Sequence, residues 1–405
     1  MPVTSTRNLA QSTKPGIFAR FAVGLALGAA VFWAHAAPRM PASDAEVLET
    51  LPTRSLDRRF REVRLLRTQL NANRNDVVLA VRVAALYFGL ALSEGDPRYV
   101  GYAQAALAPW WSVAEPPVDV LVWRATLRQY RHDFEGALKD LDKALVIDAR
   151  QAQAWSQRAA ILMVRARYDE ARASCRKLQG IAPQGIAAIC LYSVESLGAD
   201  AKAALSAALE VLPAAARLPV DQKLWIWTRV AEMAQRLDDA PRAEKLYREA
   251  LAFGVDDAYL ETAYADFLLD QGRAREVLPR LKDKVRSDPL LLRLVLAEKI
   301  LGAPGYSEHK AALAARFDAA RQRGDKLHLG EEARFTLEVL GNAHVAVRIA
   351  QENWVDQREP RDARILLEAA AAAGDREAAE PAISWFRDNK IVAPRLQRLI
   401  AGLSG

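Results

Sequence analysis

Trp155-Ser-Gln-Arg-Ala-Ala-Ile-Leu162, followed by Tyr168-Asp-Glu-Ala171 and then Pro183, is the stretch from which the rest of the chain can be read. Its outline returns at Trp227-Thr-Arg-Val-Ala-Glu-Met-Ala234, with Ala243, Tyr247 and Ala250. It returns again at Tyr264-Ala-Asp-Phe-Leu268, with Gly272, Leu281 and the pair Asp288-Pro289. A large residue is followed four positions on by a small one, three later by a bulky one and nine later by another small one, before a breaker closes the unit. The period is about 34 residues, the length of one helix hairpin. A single hairpin cannot bury its apolar face, so successive hairpins stack, and stacking produces an all-α solenoid with a concave side suited to binding.

The best copies fall at 152–185 and 224–257, with fainter ones at 119–151 and 258–291. The segment 186–223 reads as an abbreviated, degenerate unit interrupted by Pro213 to Pro219. The turn inside 119–151 reads as about two residues short of its counterparts. Residues 57–118 form an N-terminal helical capping region. Within it, one helix carries Phe60, Val63, Leu66 and Leu70 on a single face, and Asp76 caps another running Val77 to Leu92. Pro109-Trp-Trp-Ser-Val-Ala-Glu-Pro-Pro117 is a break, because proline cannot continue a helix. Residues 292–405 read as further hairpins with eroded spacing and a short closing helix from Pro394. No alternating strand pattern of useful length occurs.

These residues resemble the tetratricopeptide repeat (TPR) family. The resemblance implies a right-handed superhelix of helix pairs that binds other proteins. It assigns the family's structural positions to Trp155, Ala159, Leu162, Ala171 and Pro183, and to Trp227, Ala231, Ala234, Ala243 and Ala250. Ala159 and Ala171 are then helix crossing points, where a larger side chain overpacks at typically 1–3 kcal/mol. Trp155 and Trp227 fill gaps between neighbours. The family's carboxylate-binding subtype uses Lys and Asn on the first helices. Here Ser156, Ala160, Thr228 and Glu232 stand at those positions and lack the donors, so that mode is not expected.

The first 36 residues contain Arg7, Lys14 and Arg20 and no acidic residue. Phe21 to Trp33 is an unbroken apolar stretch of 13 residues, and Ala34-His35-Ala36 supplies small residues for a signal peptidase. This reads as an export signal cut after Ala36 or Ala37, followed by a connector over 37–56. The competing reading keeps residues 1–36 as an inner-membrane anchor with Gly24 and Gly28 on a small-residue face. Neither a lipid-accepting Cys after the stretch nor a twin-Arg pair before it occurs. The expected location is the periplasm or the exterior, or the periplasmic face of the inner membrane if the segment is retained.

The formal charge of +6 on 405 residues loses half its size when the three leader cations are set aside, leaving 53 basic against 50 acidic residues. A near-neutral array gives no electrostatic ground for nucleic-acid binding. The membrane is expected to be touched only through the N-terminal segment. The only two cysteines, Cys175 and Cys190, fall on helices that should be neighbours. They read equally as a disulfide, worth roughly 3 kcal/mol for a loop of this length, or as two small buried apolar residues.

His132, His309, His328 and His344 are isolated, and no Gly-rich phosphate loop, metal motif or nucleophile elbow is present. The expectation is therefore a non-catalytic protein without metal or cofactor. The rival is an enzyme whose residues meet only on folding, for which a deep polar pocket with perturbed titratable groups would speak. The inward positions of the first helices place Arg124, Arg128, Ser156, Ala160 and Met163 along a groove. Glu232, Gln235 and Arg236 follow, and then Thr262, Asp266 and Asp270. A basic front and an acidic middle would orient a charged protein or peptide partner, although scattered solvated helix faces would look the same. Trp110-Trp111 reads either as a partner hot spot or, more simply, as a seal over the end of a core.

Overall fold

The computed structural model describes residues 58–403, so the leader and the connector, with the readings made of them, lie outside the described residues. Twenty-one α-helices and no strand occur among the described residues. They stack as a right-handed α-solenoid of helix hairpins.

The hairpin geometry is uniform where the spacing is strongest. Helices α5 (Val118–Tyr130) and α6 (Phe134–Ile147), and α7 (Ala152–Val164) and α8 (Tyr168–Lys177), are each joined by a three-residue turn. So are α11 (Val220–Arg236) and α12 (Ala240–Leu251), and α13 (Ala258–Asp270) and α14 (Ala274–Leu281). The middle residue of each turn is left-handed: His132, Ala166, Asp238 and Gly272 have φ of 61°, 57°, 60° and 70°. The next residue's N–H then donates to the carbonyl five positions back, as from Asp133 to Arg128 at 2.9 Å and from Arg167 to Leu162 at 2.8 Å. This closing bond satisfies a helix-end carbonyl and fixes the angle between the helices. The turn in 119–151 is thus not short; its length matches the others.

The weak unit is also an ordinary pair, α9 (Gln184–Glu195) and α10 (Ala201–Ala215). Pro213 does not interrupt it, because the proline sits inside α10 and the helix runs two residues beyond it. A disulfide joins Cys175 on α8 to Cys190 on α9, with 5.5 Å between the Cα atoms. Ala159 and Ala171 are fully buried at the helix crossings, and Trp227 is buried. Trp155 departs from its expected role. It is only half-buried, and its Nε1 donates to the Ala149 carbonyl at 2.9 Å.

At the N-terminal end, α1 (Arg58–Ala72), α2 (Val77–Glu94) and α3 (Arg98–Ala106) form a separate apolar core with α5. Asp76 caps α2 by accepting from the Leu79 N–H at 2.9 Å. Among the described residues, α2 alone is long and apolar enough to cross a membrane, and here Ala80, Val83 and Leu90 bury one of its faces. Gly95 ends α2 at φ 62°, where an added Cβ would stand 2.3 Å from the Ser287 Cβ, so both its conformation and its surroundings require glycine. The short α4 (Ala108–Trp111) follows, and both tryptophans pack against this core.

The second half of the chain continues as α15 (Asp288–Leu301), α16 (Tyr306–Gln322) and α17 (Leu329–Arg334), the last extended by a π-turn over Phe335–Val339. Then come α18 (Ala343–Asp356), α19 (Pro360–Ala373), α20 (Arg376–Asp388) and α21 (Pro394–Gly402). These last helices do not extend an open spiral. One continuous core contains both α5–α9 and α17–α21. Trp385 Nε1 donates to the Tyr168 hydroxyl at 2.9 Å. The backbone N–H of Arg358 donates to Val164 O, and that of Val392 to Leu197 O, each at 2.8 Å. Arg165 pairs with Asp356 at 2.8 Å. The expected open groove is therefore covered by the chain's own C-terminal helices.

Candidate ligand and partner site

Among the described residues, the concave side holds a cavity of about 810 Å³. Its first wall is made by inward faces near the C-terminal ends of α7, α9 and α11, by α13 along most of its length, and by Arg293 of α15. Its second wall is the start of α19 and the length of α21. Seven residues read from helical spacing reach it: Met163, Glu232, Gln235 and Arg236, then Thr262, Asp266 and Asp270. They do so because positions three, four and seven apart share one helix face.

The basic front fails, for a definite reason. Arg124 is 4% exposed, and its Nε and Nη2 donate to Asp140 at 2.8 and 2.6 Å. Its Nη1 donates to the carbonyls of Trp110, Trp111 and Val113. Arg128 is turned to the Gly136 carbonyl at 2.9 Å and to Asp140 at 3.0 Å. Arg124 thus holds the α5–α6 hairpin to the segment that precedes it, and Arg128 ties α5 to its own partner helix. Ser156 and Ala160 are half-buried on α7 and do not line the cavity.

Sequence reading missed Arg229, Tyr259 and the whole second wall, including Arg361, Arg364, Arg395 and Arg398. Arg229 lies one heptad before Arg236, and Tyr259 lies three before Thr262, so helical spacing alone would have found both. The second wall arrives through tertiary closure and leaves no local signal.

The charges are arranged as fixed groups. Asp266 accepts from Arg293 at 2.7 Å and from Arg334 at 2.5 Å. Burial would raise this carboxyl, but the two guanidiniums outweigh it and hold it well below the ordinary range. Asp270 is shared by Arg364 at 3.0 Å and Arg395 at 2.7 Å. Arg229 pairs with Glu232 at 3.0 Å and lies over the Tyr259 ring, 4.9 Å from its centroid. The Tyr259 hydroxyl donates to Glu232 at 2.5 Å, and the Tyr247 hydroxyl to Gln235 at 2.7 Å. Burial pushes both phenols up.

Arg236 differs from the rest. Its Nη2 donates to Ser196 O and Oγ at 3.1 and 2.6 Å, and among the described residues no carboxylate pairs with it and its buried Nε has no partner. Its pKa is lowered by burial, against the pull of Glu232 and with the repulsion of Arg229.

The cavity thus has the depth and the perturbed groups that would speak for an enzyme. The tyrosines, however, are pushed further up and Asp266 further down, away from neutral pH, whereas proton transfer needs a group near it. Among the described residues, no three His, Cys, Asp or Glu side chains stand together as a metal set.

No family model and no curated protein matches the chain. Solved structures of similar fold include a tetratricopeptide repeat protein from Parabacteroides merdae ATCC 43184, at 12% identity over 63% of this chain and 91% of that one, with a TM-score of 0.41. Yeast Tom70 is similar at 18% identity over 79% of this chain and 59% of its own, with a TM-score of 0.35. A human IFIT1 dimer with PPP-AAAA is similar at 12% identity, over 85% of this chain and 87% of that one, with a TM-score of 0.42. The class defined by the helix hairpins and their turns is that of TPR-like helical-repeat proteins.

Proposed function

We propose that this chain is a non-catalytic scaffold of the bacterial cell envelope, exported to the periplasm, that binds a segment of a protein partner on its concave side. The observation that carries the reading is the cavity itself. It lies on the inward helix faces, where TPR-like stacks present side chains, and its volume falls within the range of ligand sites, roughly 300–1,000 Å³. Its ion pairs are preorganised, so binding costs little ordering. The leader and the Cys175–Cys190 bond support export, because disulfides persist in oxidising compartments.

Two measurements test this. Intact mass and thiol titration on protein made with its own leader should give a species lacking residues 1–36 with no free thiol. Full length with blocked thiols would instead favour an envelope scaffold tethered by the apolar stretch Phe21 to Trp33, and full length with free thiols would remove the export reading. A photo-crosslinking side chain at Thr262, inside the cavity, should capture a defined envelope protein in cells. One at Val146, which is 87% exposed, should not. Equal labelling from both sites would defeat the concave-side assignment.

A further inference from the structure

The balanced charge of the whole chain hides a local excess at its N-terminal end. Between residues 58 and 107 stand eight arginines and four carboxylates, whereas residues 108–405 hold 43 basic and 42 acidic side chains. Three of the four carboxylates are committed: Asp76 caps α2, Asp96 pairs with Arg98 at 2.6 Å, and Glu62 pairs with Arg82 at 2.8 Å. Six of the eight arginines fall on α1 and the turn behind it, between Arg58 and Arg74. Val63, Leu66 and Leu70 bury the inner face of α1. Arg61, Arg64, Leu65 and Thr68 share the opposite face, three, four and seven positions apart, and all four are exposed. Among the described residues no carboxylate pairs with Arg64 or Arg74, and Arg67 lies over the Tyr102 ring, 5.9 Å from its centroid. The same end carries exposed apolar surface. Of the twelve large apolar side chains that stand exposed among the described residues, five fall between Leu65 and Val113, and Leu65 itself is 60% exposed. A cationic helix face with an apolar residue set among its arginines is the pattern of helices that lie in the plane of a membrane surface.

We propose that the outward face of α1 docks on an anionic phospholipid surface, with its arginines on the lipid phosphates and Leu65 in the headgroup layer. Guanidinium and phosphate form charge-assisted, often paired hydrogen bonds. Clustered cations near an anionic bilayer each add to the attraction, and a buried apolar side chain adds to it again. Leu65 favours the bilayer over an acidic protein or another dissolved polyanion, because the bilayer offers an apolar layer directly behind its charges. Twenty-four residues separate Trp33, the end of the apolar stretch, from α1, which is the first described helix after it. Membrane contact through α1 does not depend on that stretch, so it persists when residues 1–36 are removed. It also leaves the concave side free, since no residue before Met163 lines the cavity.

Flotation of the mature protein, without residues 1–36, tests this with two kinds of vesicle: one-third phosphatidylglycerol in phosphatidylcholine, and phosphatidylcholine alone. The protein should float with the first and not with the second, and its binding should weaken as salt is raised. Arg61→Gln combined with Arg64→Gln should weaken binding about tenfold or more, and Leu65→Ser about threefold or more, with circular dichroism and melting curves like the parent's. Arg323→Gln combined with Arg387→Gln removes the same charge from exposed sites elsewhere and should change nothing. If the first double variant melts early, Arg64→Gln alone gives the same reading at about fivefold. Equal binding to both vesicles, binding to neither, or equal weakening in the two double variants overturns the proposal. Binding that is lost with the arginines but indifferent to Leu65→Ser would mark a surface that reads charge alone, as for an acidic protein, and would overturn the membrane assignment. Crosslinking from Thr262 does not involve α1, so the concave-side reading and this one can fail separately.

Discussion

Ala166 sits at φ 57°, where an L-residue with a Cβ is strained by about 1–2 kcal/mol. The hairpin holds it there because the following N–H, from Arg167, must reach the Leu162 carbonyl at 2.8 Å. Ala166→Gly removes the strain and returns part of the gain as unfolded-chain entropy, so we expect a stabilisation of about 0.5–1 kcal/mol. The measurement is a urea midpoint that rises with an unchanged slope. Gly272→Ala, at the same position of another hairpin, should shift the midpoint the other way by a similar amount. If both substitutions move it in one direction, the shared turn geometry is not what governs these sites. The recurring left-handed turn was invisible in the sequence because glycine marks it once, while His132, Ala166 and Asp238 fill it elsewhere. The small residues at the crossings were visible because Ala159 and Ala171 repeat at a fixed spacing and no larger side chain fits between the helices.

The helices show where periodic reading succeeds and where it stops. Long apolar runs bounded by caps, such as α2 behind Asp76, were legible because an apolar stripe needs a partner surface. Pro213 was misread as a break because its lost N–H and the crowding of its ring on the carbonyl four residues back fall in the last turn of α10, which continues two residues beyond it. Trp155 and Trp227 occupy equivalent positions in the pattern but not in the stack. Trp227 is 7% exposed, meets Phe253 edge-on at 5.4 Å, and donates from Nε1 to Glu249 at 2.9 Å. Trp155 lies half-open on a shallow surface depression beside Val146. Trp227→Ala should therefore cost about 3–5 kcal/mol, and Trp155→Ala less than half as much. Chemical unfolding of the two variants decides this, and equal losses would show that the two neighbourhoods are energetically alike despite their different burial.

Closure is a property of the whole molecule and has no sequence signature, since Tyr168 and Trp385 meet across 217 positions and nothing near either anticipates the other. Half of the cavity was legible for that reason, and the half supplied by α19 and α21 was not. The same closure makes stability depend on acid. His132, in the α5–α6 turn, stacks on Phe134 at 5.4 Å and faces the Gln357 side chain at 3.4 Å, on the connector between α18 and α19. Burial pushes its pKa down to about 4; Glu331 and Asp356 oppose the shift, while Arg361 and His328 add to it. In the unfolded chain the imidazole titrates near 6.5. Between those values the unfolded state takes up a proton that the folded state refuses, so stability is fully present above about pH 6.5 and is lost as pH falls toward 4. The loss approaches roughly 3 kcal/mol at the low end, at about 1.4 kcal/mol per pH unit. Asp266, held below the ordinary carboxylate range, adds its own acid sensitivity only below about pH 4, whereas burial pushes Asp362 up to about 6, so that carboxyl opposes the loss within the same window and only the difference between parent and His132 variant isolates the histidine. His132→Asn keeps a residue that tolerates the left-handed turn and removes the titrating ring. Its urea midpoint should fall less than the parent's between pH 7 and 4.5. Parallel declines in the two proteins would place the acid sensitivity away from the seam between the first repeat and the returning C-terminal helices.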